Sequence, residues 1–127
     1  MAQTGFSFGR LLRSFGYAAK GIVASYSKHH VNIKIHTIVA LITIVLGALL
    51  SISAMEWALV ILCCGVVIVA EMFNTAIEAL VDMVSPEWNS KAGLVKDISA
   101  GAVLILAITS VVIGLIIFLP KIIALLD

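Results

Sequence analysis

Three long apolar segments dominate the pattern of hydrophobic and polar positions along the chain. They run from about residue 33 to 52, from 57 to 84 and from 98 to 119. A helix needs about 20 predominantly apolar residues to cross the hydrocarbon core of a bilayer, and each segment is long enough. Pro120 and Lys121 follow the third segment, where a proline and an extended lysine side chain suit a water interface. The pattern therefore predicts three transmembrane helices.

Residues 5–28, which precede these segments, follow a different pattern. Apolar residues recur there at near-helical spacing, and arginine, lysine and tyrosine occupy the polar positions. This pattern predicts an amphipathic helix on the membrane surface, although Gly16 and Gly21 weaken it slightly. The pattern alone leaves open whether the helix is a simple interface anchor or part of a binding site.

The composition supports a membrane location. The chain has 127 residues, of which 62% are hydrophobic and 12% charged, with a mean hydropathy of +1.20. A soluble domain is typically about 45–50% apolar and about 25% charged. The net charge of +1 and the lack of a basic run do not indicate a nucleic-acid partner. We therefore expect an all-α membrane protein with a single domain, residues 1–127.

The lysines and arginines are distributed unevenly about the predicted spans. Seven lie at the N-terminal side of the first span or in the link at residues 85–96, and only Lys121 lies beyond the third span. The short link between the first two spans carries Glu56 and no cation. Because cytoplasmic loops of membrane proteins are enriched in lysine and arginine, this distribution places the N-terminus in the cytoplasm and the C-terminus outside.

Besides Thr75, four polar residues interrupt the second apolar segment: Glu71, Asn74, Glu78 and Asp82. At about 100° per residue they fall within about 80° of the helix circumference. We call these four residues the polar stripe. Apolar residues cover the remaining faces, so the stripe is expected to face other helices or a water-filled cavity near the cytoplasmic boundary. Asparagine alone could hold helices together, but carboxylates do so poorly because their charges must be neutralised. Ionisable residues in a span indicate a functional site.

The polar stripe offers only oxygen ligands, which suit Mg²⁺ better than zinc or copper. Mg²⁺ typically binds one or two protein carboxylates and completes its coordination with water and substrate phosphates. The segment that follows offers Lys96 for a phosphate and Asp97 for a sugar hydroxyl or a second metal contact. This combination predicts phosphoryl transfer from a soluble nucleotide to a molecule in the membrane. Neither GxxxxGK[ST] nor GxGxxG is present, so a nucleotide would bind without those phosphate loops.

The stretch "AEMFNTAIEALVDMV", followed by "KDISAGAVL", resembles the signature of the prokaryotic diacylglycerol kinase family, small membrane enzymes that include the undecaprenol kinases. The stretches "GRLLRSFGYAAKGI" and "NIKIH" match as well, so the resemblance covers nearly the whole chain. It implies a homotrimer in a bacterial cytoplasmic membrane, with active sites shared between neighbouring subunits. The implied reaction is the ATP- and Mg²⁺-dependent phosphorylation of a lipid hydroxyl. The stretches "NIKIH" and "NTAIE" favour undecaprenol over diacylglycerol as the acceptor.

The resemblance also implies roles for individual residues. Glu71 matches the catalytic base, and Glu78 matches a metal ligand. Asn74 matches a polar residue of the same site and is assigned to cofactor binding. The nucleotide contacts are matched by Lys96 and Asp97 and, more loosely, by Arg10, Tyr17, Glu87, Trp88 and Asn89.

One position departs from the family pattern. Many members carry a glutamate, a second metal ligand, shortly before the first span. Here the region reads "SKHHVNIKIH", which places His29 or His30 at that position, and His30 is assigned as the candidate ligand. Histidine is a poorer ligand for Mg²⁺ than a carboxylate. Contact of these histidines with lipid headgroups or water is therefore the alternative.

Two other functions could use a polar stripe. A small ion- or proton-conducting protein would explain the carboxylates, but it would leave Lys96, Asp97 and the surface helix without a role. It would also require polar residues across the whole membrane, whereas the first half of the second span is uncharged. A non-catalytic assembly subunit would not need two buried glutamates. The sequence therefore favours the lipid kinase.

Overall fold

The computed structural model describes residues 7–27 and 29–126, which form four helices. They are α1 (Phe8–Ser25), α2 (Val31–Leu49), α3 (Ala54–Val84) and α4 (Ser90–Ile123), and the described residues contain no strand. By length and composition α2, α3 and α4 could each cross a membrane. The predicted all-α fold with three such helices after an N-terminal helix is confirmed. Residues 5, 6 and 28 of the predicted surface helix lie outside the described part of the chain.

Helix α3 begins three residues earlier than the apolar pattern indicates, because a capping box starts it. The Ser53 hydroxyl accepts a hydrogen bond from the backbone N–H of Glu56 at 3.3 Å, and the Glu56 carboxylate accepts one from the Ser53 N–H at 2.7 Å. This reciprocal pair satisfies two backbone donors that would otherwise lack partners. Glu56 therefore lies in the first turn of α3.

Helix α4 begins at Ser90, eight residues before the predicted span. The Asn89 side-chain oxygen accepts hydrogen bonds from the backbone N–H groups of Lys91 and Ala92, at 2.9 and 3.3 Å. This N-cap allows the polar residues that follow to be helical. Lys96 and Asp97 therefore lie on a helix, and the link between α3 and α4 shortens to residues 85–89. At the other end, α4 continues past Pro120 to Ile123, so the proline lies inside the helix and not after it.

The turn between α2 and α3 is tight. Helix α2 ends at Leu49, three residues before the predicted end of the first span, and Ser51 adopts a positive φ of 49°. A Cβ atom at Gly47 would lie 3.0 Å from Ile52 Cδ1 and 3.0 Å from Trp57 Cη2. The turn therefore folds back closely onto the last part of α2, and a side chain at position 47 would force Ile52 and Trp57 to shift by a few tenths of an ångström.

Helices α3 and α4 form an antiparallel pair joined by an ion pair at each end. The Lys121 ammonium lies 3.2 Å from the Glu56 carboxylate at one end, and Lys96 pairs with Asp82 at the other. A buried apolar cluster lies near the Glu56 end and comprises Ile52, Val60, Ile117 and Phe118. Helix α2 also packs against α3, and α1 contacts α3. This cluster therefore lies at the end of α3 that is remote from the polar stripe.

Candidate active site

The polar stripe runs along the second half of α3 from a buried end to an exposed end. Glu71 and Asn74 are buried, at 4% and 5% exposure, whereas Glu78 is half-buried and Asp82 is exposed. With 31 residues, α3 is about 46 Å long, which exceeds the hydrocarbon thickness of about 30 Å. The stripe thus leads from the protein interior toward the end of the helix, where water is accessible.

Asn74 and Glu78 form a pair on successive turns of α3. The Asn74 amide nitrogen donates a hydrogen bond to Glu78 Oε1 at 3.1 Å. Its Oδ1 atom is buried and has no hydrogen-bond partner among the described residues. Leaving a buried acceptor unpaired costs about 1–3 kcal/mol, so such an atom indicates a site that a donor or a cation can complete.

Glu71 lies one helical turn before this pair. Its side chain is buried, and no hydrogen bond or ion pair holds its carboxylate within residues 7–27 and 29–126. Its oxygens are therefore not engaged by another side chain of the described subunit. A carboxylate in that condition can accept a proton from a bound hydroxyl group.

Lys96 connects α4 to the polar stripe. Its ammonium donates to the Asp82 carboxylate across the link between α3 and α4. The sequence identified both residues but did not predict that they pair, since contacts between helices do not follow from spacing within one helix. Asp97 follows Lys96 on α4 and is exposed.

The other predicted nucleotide residues lie on α1 and in the link before α4. Tyr17 is exposed on α1, with the Lys20 ammonium 6.0 Å from its ring centre. Arg10 lies in the first turn of the same helix and is also exposed. Glu87 and Trp88 lie in the exposed link after α3, and Asn89 caps α4. No hydrogen bond or ion pair within the described part of the chain joins Tyr17, Trp88 or Asp97 to the stripe.

His30 lies immediately before α2, beside a groove between the end of α1 and α3. Small and apolar residues such as Ala24, Val69 and Phe73 dominate the lining of this groove, and Glu78 is not part of it. Within the described residues, no group of three or more histidine, cysteine, aspartate or glutamate side chains could hold a metal ion. The oxygen atoms of Glu78 and Asn74 do suit Mg²⁺, which needs only one or two protein carboxylates.

Comparison with known proteins gives matches over most of the chain. Residues 16–118 match the family model described as prokaryotic diacylglycerol kinase. The undecaprenol kinase of Bacillus subtilis (strain 168) is 37% identical over 112 residues, which cover 88% of this chain and 90% of that protein. The diacylglycerol kinase of Synechocystis sp. (strain ATCC 27184 / PCC 6803 / Kazusa) is 35% identical over 116 residues, or 91% of this chain and 66% of that protein.

The diacylglycerol kinase of Escherichia coli (strain K12) is 30% identical over 112 residues, which cover 88% of this chain and 91% of that protein. The family match spans α2, α3 and most of α1 and α4, and it includes all four residues of the polar stripe. The chain therefore belongs to the prokaryotic diacylglycerol kinase family and is a lipid kinase.

Proposed function

We propose that this single-domain protein transfers the γ-phosphoryl group of ATP to the hydroxyl group of a membrane lipid alcohol. Undecaprenol is the favoured acceptor and diacylglycerol the next. The observation that carries the proposal is the buried Glu71 carboxylate one turn from the Asn74–Glu78 pair, on a helix long enough to cross a membrane. Such a site can join a substrate dissolved in the bilayer to a nucleotide that arrives from water.

Glu71 would act as the general base. The oxygen of the lipid alcohol attacks the γ-phosphorus and forms the new P–O bond, while the bond from the γ-phosphorus to the bridging oxygen of ADP breaks. The proton of the alcohol passes to the Glu71 carboxylate, and ADP leaves. Because such transfers need accurate positioning and charge neutralisation more than covalent catalysis, a few fixed polar groups suffice.

Glu78 and the unpaired Oδ1 atom of Asn74 are the proposed protein ligands of Mg²⁺. When bound, this ion would neutralise negative charge on the nucleotide phosphates. The amide nitrogen of Asn74 keeps the Glu78 carboxylate in place from the same helix. His30 is the candidate for a further ligand, and contact with water or lipid headgroups is the alternative role.

Lys96 would supply positive charge to the triphosphate, and Asp97 would contact the nucleotide from the same turn of α4. Arg10 and Tyr17 on α1, with Glu87, Trp88 and Asn89 in the link, complete the proposed nucleotide contacts. Within one subunit, no hydrogen bond or ion pair among the described residues joins Tyr17, Trp88 or Asp97 to the stripe. This arrangement agrees with a homotrimer in which neighbouring subunits complete each site.

The proposed location is the cytoplasmic membrane of a bacterium, with the N-terminus in the cytoplasm. The uneven distribution of lysine and arginine supports this orientation. It also places the exposed end of the polar stripe in the compartment that supplies ATP. An ion-conducting protein, the alternative use of the carboxylates, gains no support, since the polar stripe covers only the second half of α3.

A lipid phosphorylation assay tests the proposal. The full chain, reconstituted in bilayer nanodiscs with Mg-ATP, is given either undecaprenol or diacylglycerol, and the lipid monophosphate is quantified by mass spectrometry. We expect faster turnover of undecaprenol. Glu71→Gln should lower kcat by about 10²-fold or more, the scale expected on losing a general base, without dissociating the oligomer. Glu78→Gln should raise the Mg²⁺ concentration needed for activity.

Glu56→Gln is the matched control, since it removes a carboxylate from the opposite end of α3 and retains a capping residue there. It should leave turnover unchanged. Full activity in both the Glu71 and Glu78 variants would show that the catalytic site lies elsewhere. If diacylglycerol is phosphorylated faster than undecaprenol, the proposed reaction stands and the proposed acceptor is wrong.

A further inference from the structure

The proposed function gives the polar stripe a general base and metal ligands, but it assigns no role to Asp82, which forms an ion pair with Lys96. Asp82 is the last residue of the stripe and lies two residues before the end of α3. Its side chain is 65% exposed, and that of Lys96 is 35% exposed. The pair connects residues 14 positions apart on two helices.

Stability alone does not account for this pair. An exposed ion pair typically contributes about 0–1 kcal/mol, because water already solvates both charges well. The same two helices are also joined by Glu56 and Lys121, whose side chains are 26% and 31% exposed and lie near the buried apolar cluster. Helix α4 is therefore held against α3 without the contribution of Asp82.

The position of Asp82 also determines where the Lys96 ammonium lies relative to the rest of the polar stripe. Asp82 lies four residues after Glu78 on the same stripe, which corresponds to a rise of about 6 Å along α3. An ammonium bound to Asp82 is therefore held about one turn from the Glu78 carboxylate. A free lysine side chain has many rotamers, so fixing its charge before the substrate arrives lowers the entropic cost of binding.

We infer that Asp82 is a positioning residue for phosphoryl transfer, which holds the Lys96 ammonium over the polar stripe where the nucleotide phosphates bind. This inference rests on the proposed role of Lys96 in nucleotide binding. Asp82 acts through Lys96 and does not itself touch the substrate. A polyphosphate, which carries several negative charges, would share the Lys96 ammonium with the single Asp82 carboxylate.

Asp82→Asn tests the inference, because it removes the charge and retains the shape. We expect KM for Mg-ATP to rise by about fivefold, near the upper end for one exposed ion pair, with a smaller change in kcat. Asp82→Glu restores the carboxylate and should recover most of the affinity. The thermal unfolding midpoint of the reconstituted protein should not change in either variant.

A double-mutant cycle shows whether Asp82 acts through Lys96. Lys96→Gln should raise KM for Mg-ATP, and adding Asp82→Asn to it should produce no further rise, because the group to be positioned is gone. Glu56→Gln and Lys121→Gln are matched controls, since they break the other ion pair between the same two helices. Neither should change KM.

The outcomes separate this inference from the proposed function. If Lys96→Gln raises KM and Asp82→Asn does not, the positioning role is wrong while the role of Lys96 stands. A lower KM in Asp82→Asn would make Asp82 a competitor of the nucleotide, and additive effects in the cycle would make it independent of Lys96; either result overturns the inference. An unchanged KM in Lys96→Gln would overturn both the inference and the proposed role of Lys96.

Discussion

At the scale of single residues, Asn74 shows why the polar stripe is not a row of carboxylates. Its side chain is both a donor and an acceptor, so its amide nitrogen can hold Glu78 while its oxygen stays available. An aspartate at this position would place three carboxylates on successive turns and raise the cost of keeping them charged. The amide therefore fixes the geometry of the proposed metal ligands without adding negative charge.

His30 gives a prediction at the same scale. Its groove contains no carboxylate among the lining residues, and Mg²⁺ prefers oxygen ligands, so we predict that His30 contacts water or lipid headgroups. We expect His30→Ala to leave the Mg²⁺ concentration for half-maximal activity within about twofold, because removing a metal ligand would shift it much further. Titration of Mg²⁺ at saturating ATP measures this.

His29→Ala provides the control, since His29 is the neighbouring candidate and is exposed. The double variant tests whether the two histidines can replace each other. A rise of about tenfold or more in the Mg²⁺ requirement of His30→Ala would establish it as a ligand. The family's second metal position would then have changed from carboxylate to imidazole.

The sequence predicted the polar stripe because helical periodicity within one element is regular. It did not predict the partner of Lys96, because two residues on different helices meet only once the packing of those helices is known. The capping role of Asn89 was also missed. Its signal was present, since an asparagine followed by a run of helix-forming residues is a typical helix start, but the family resemblance had already assigned that residue to the nucleotide.

At the scale of elements, the caps determine where the site residues lie. The apolar pattern predicted the three spans, but it placed the starts of α3 and α4 too late. Hydropathy detects only apolar residues, so it does not include the polar residues of a helix's first turns. Asn89 and Ser53 extend these helices into regions without a lipid-facing composition. As a result, Lys96 lies on a rigid helix, where its backbone is fixed relative to α3.

Asn89 therefore allows a test that separates a structural role from nucleotide binding. Asn89→Ala should destabilise the protein by about 1 kcal/mol, because the backbone N–H groups of Lys91 and Ala92 lose their acceptor. Asn89→Ser retains a capping oxygen and should restore stability. Thermal unfolding measures the first effect, and KM for ATP measures any role in nucleotide binding.

Asn89→Ser decides between the two roles. If its stability and its KM are both those of the unmodified protein, Asn89 is a helix cap alone. If stability is normal and KM rises, the amide also contacts the nucleotide. A normal unfolding midpoint in Asn89→Ala would contradict the capping role.

At the scale of the whole molecule, the two ends of the α3–α4 pair differ in chemistry. One end has the packed apolar cluster and the Glu56–Lys121 ion pair, and the other carries the polar stripe and Lys96. Most large apolar side chains of α2, α3 and α4 are exposed in a single subunit. Those surfaces can face lipid or other subunits, which agrees with the proposed oligomer in a membrane.

The orientation of this asymmetric molecule is open to direct test. ATP is available in the cytoplasm, so a site built at the stripe end requires the link between α3 and α4 to lie there. Cys63 and Cys64 on α3 are free thiols and are first replaced by alanine. Leu125→Cys should then react with an impermeant maleimide in intact spheroplasts, since Leu125 is exposed beyond Lys121. Ser90→Cys should react only after permeabilisation. Labelling of Ser90→Cys in intact spheroplasts would place the polar stripe outside and separate the proposed site from its nucleotide.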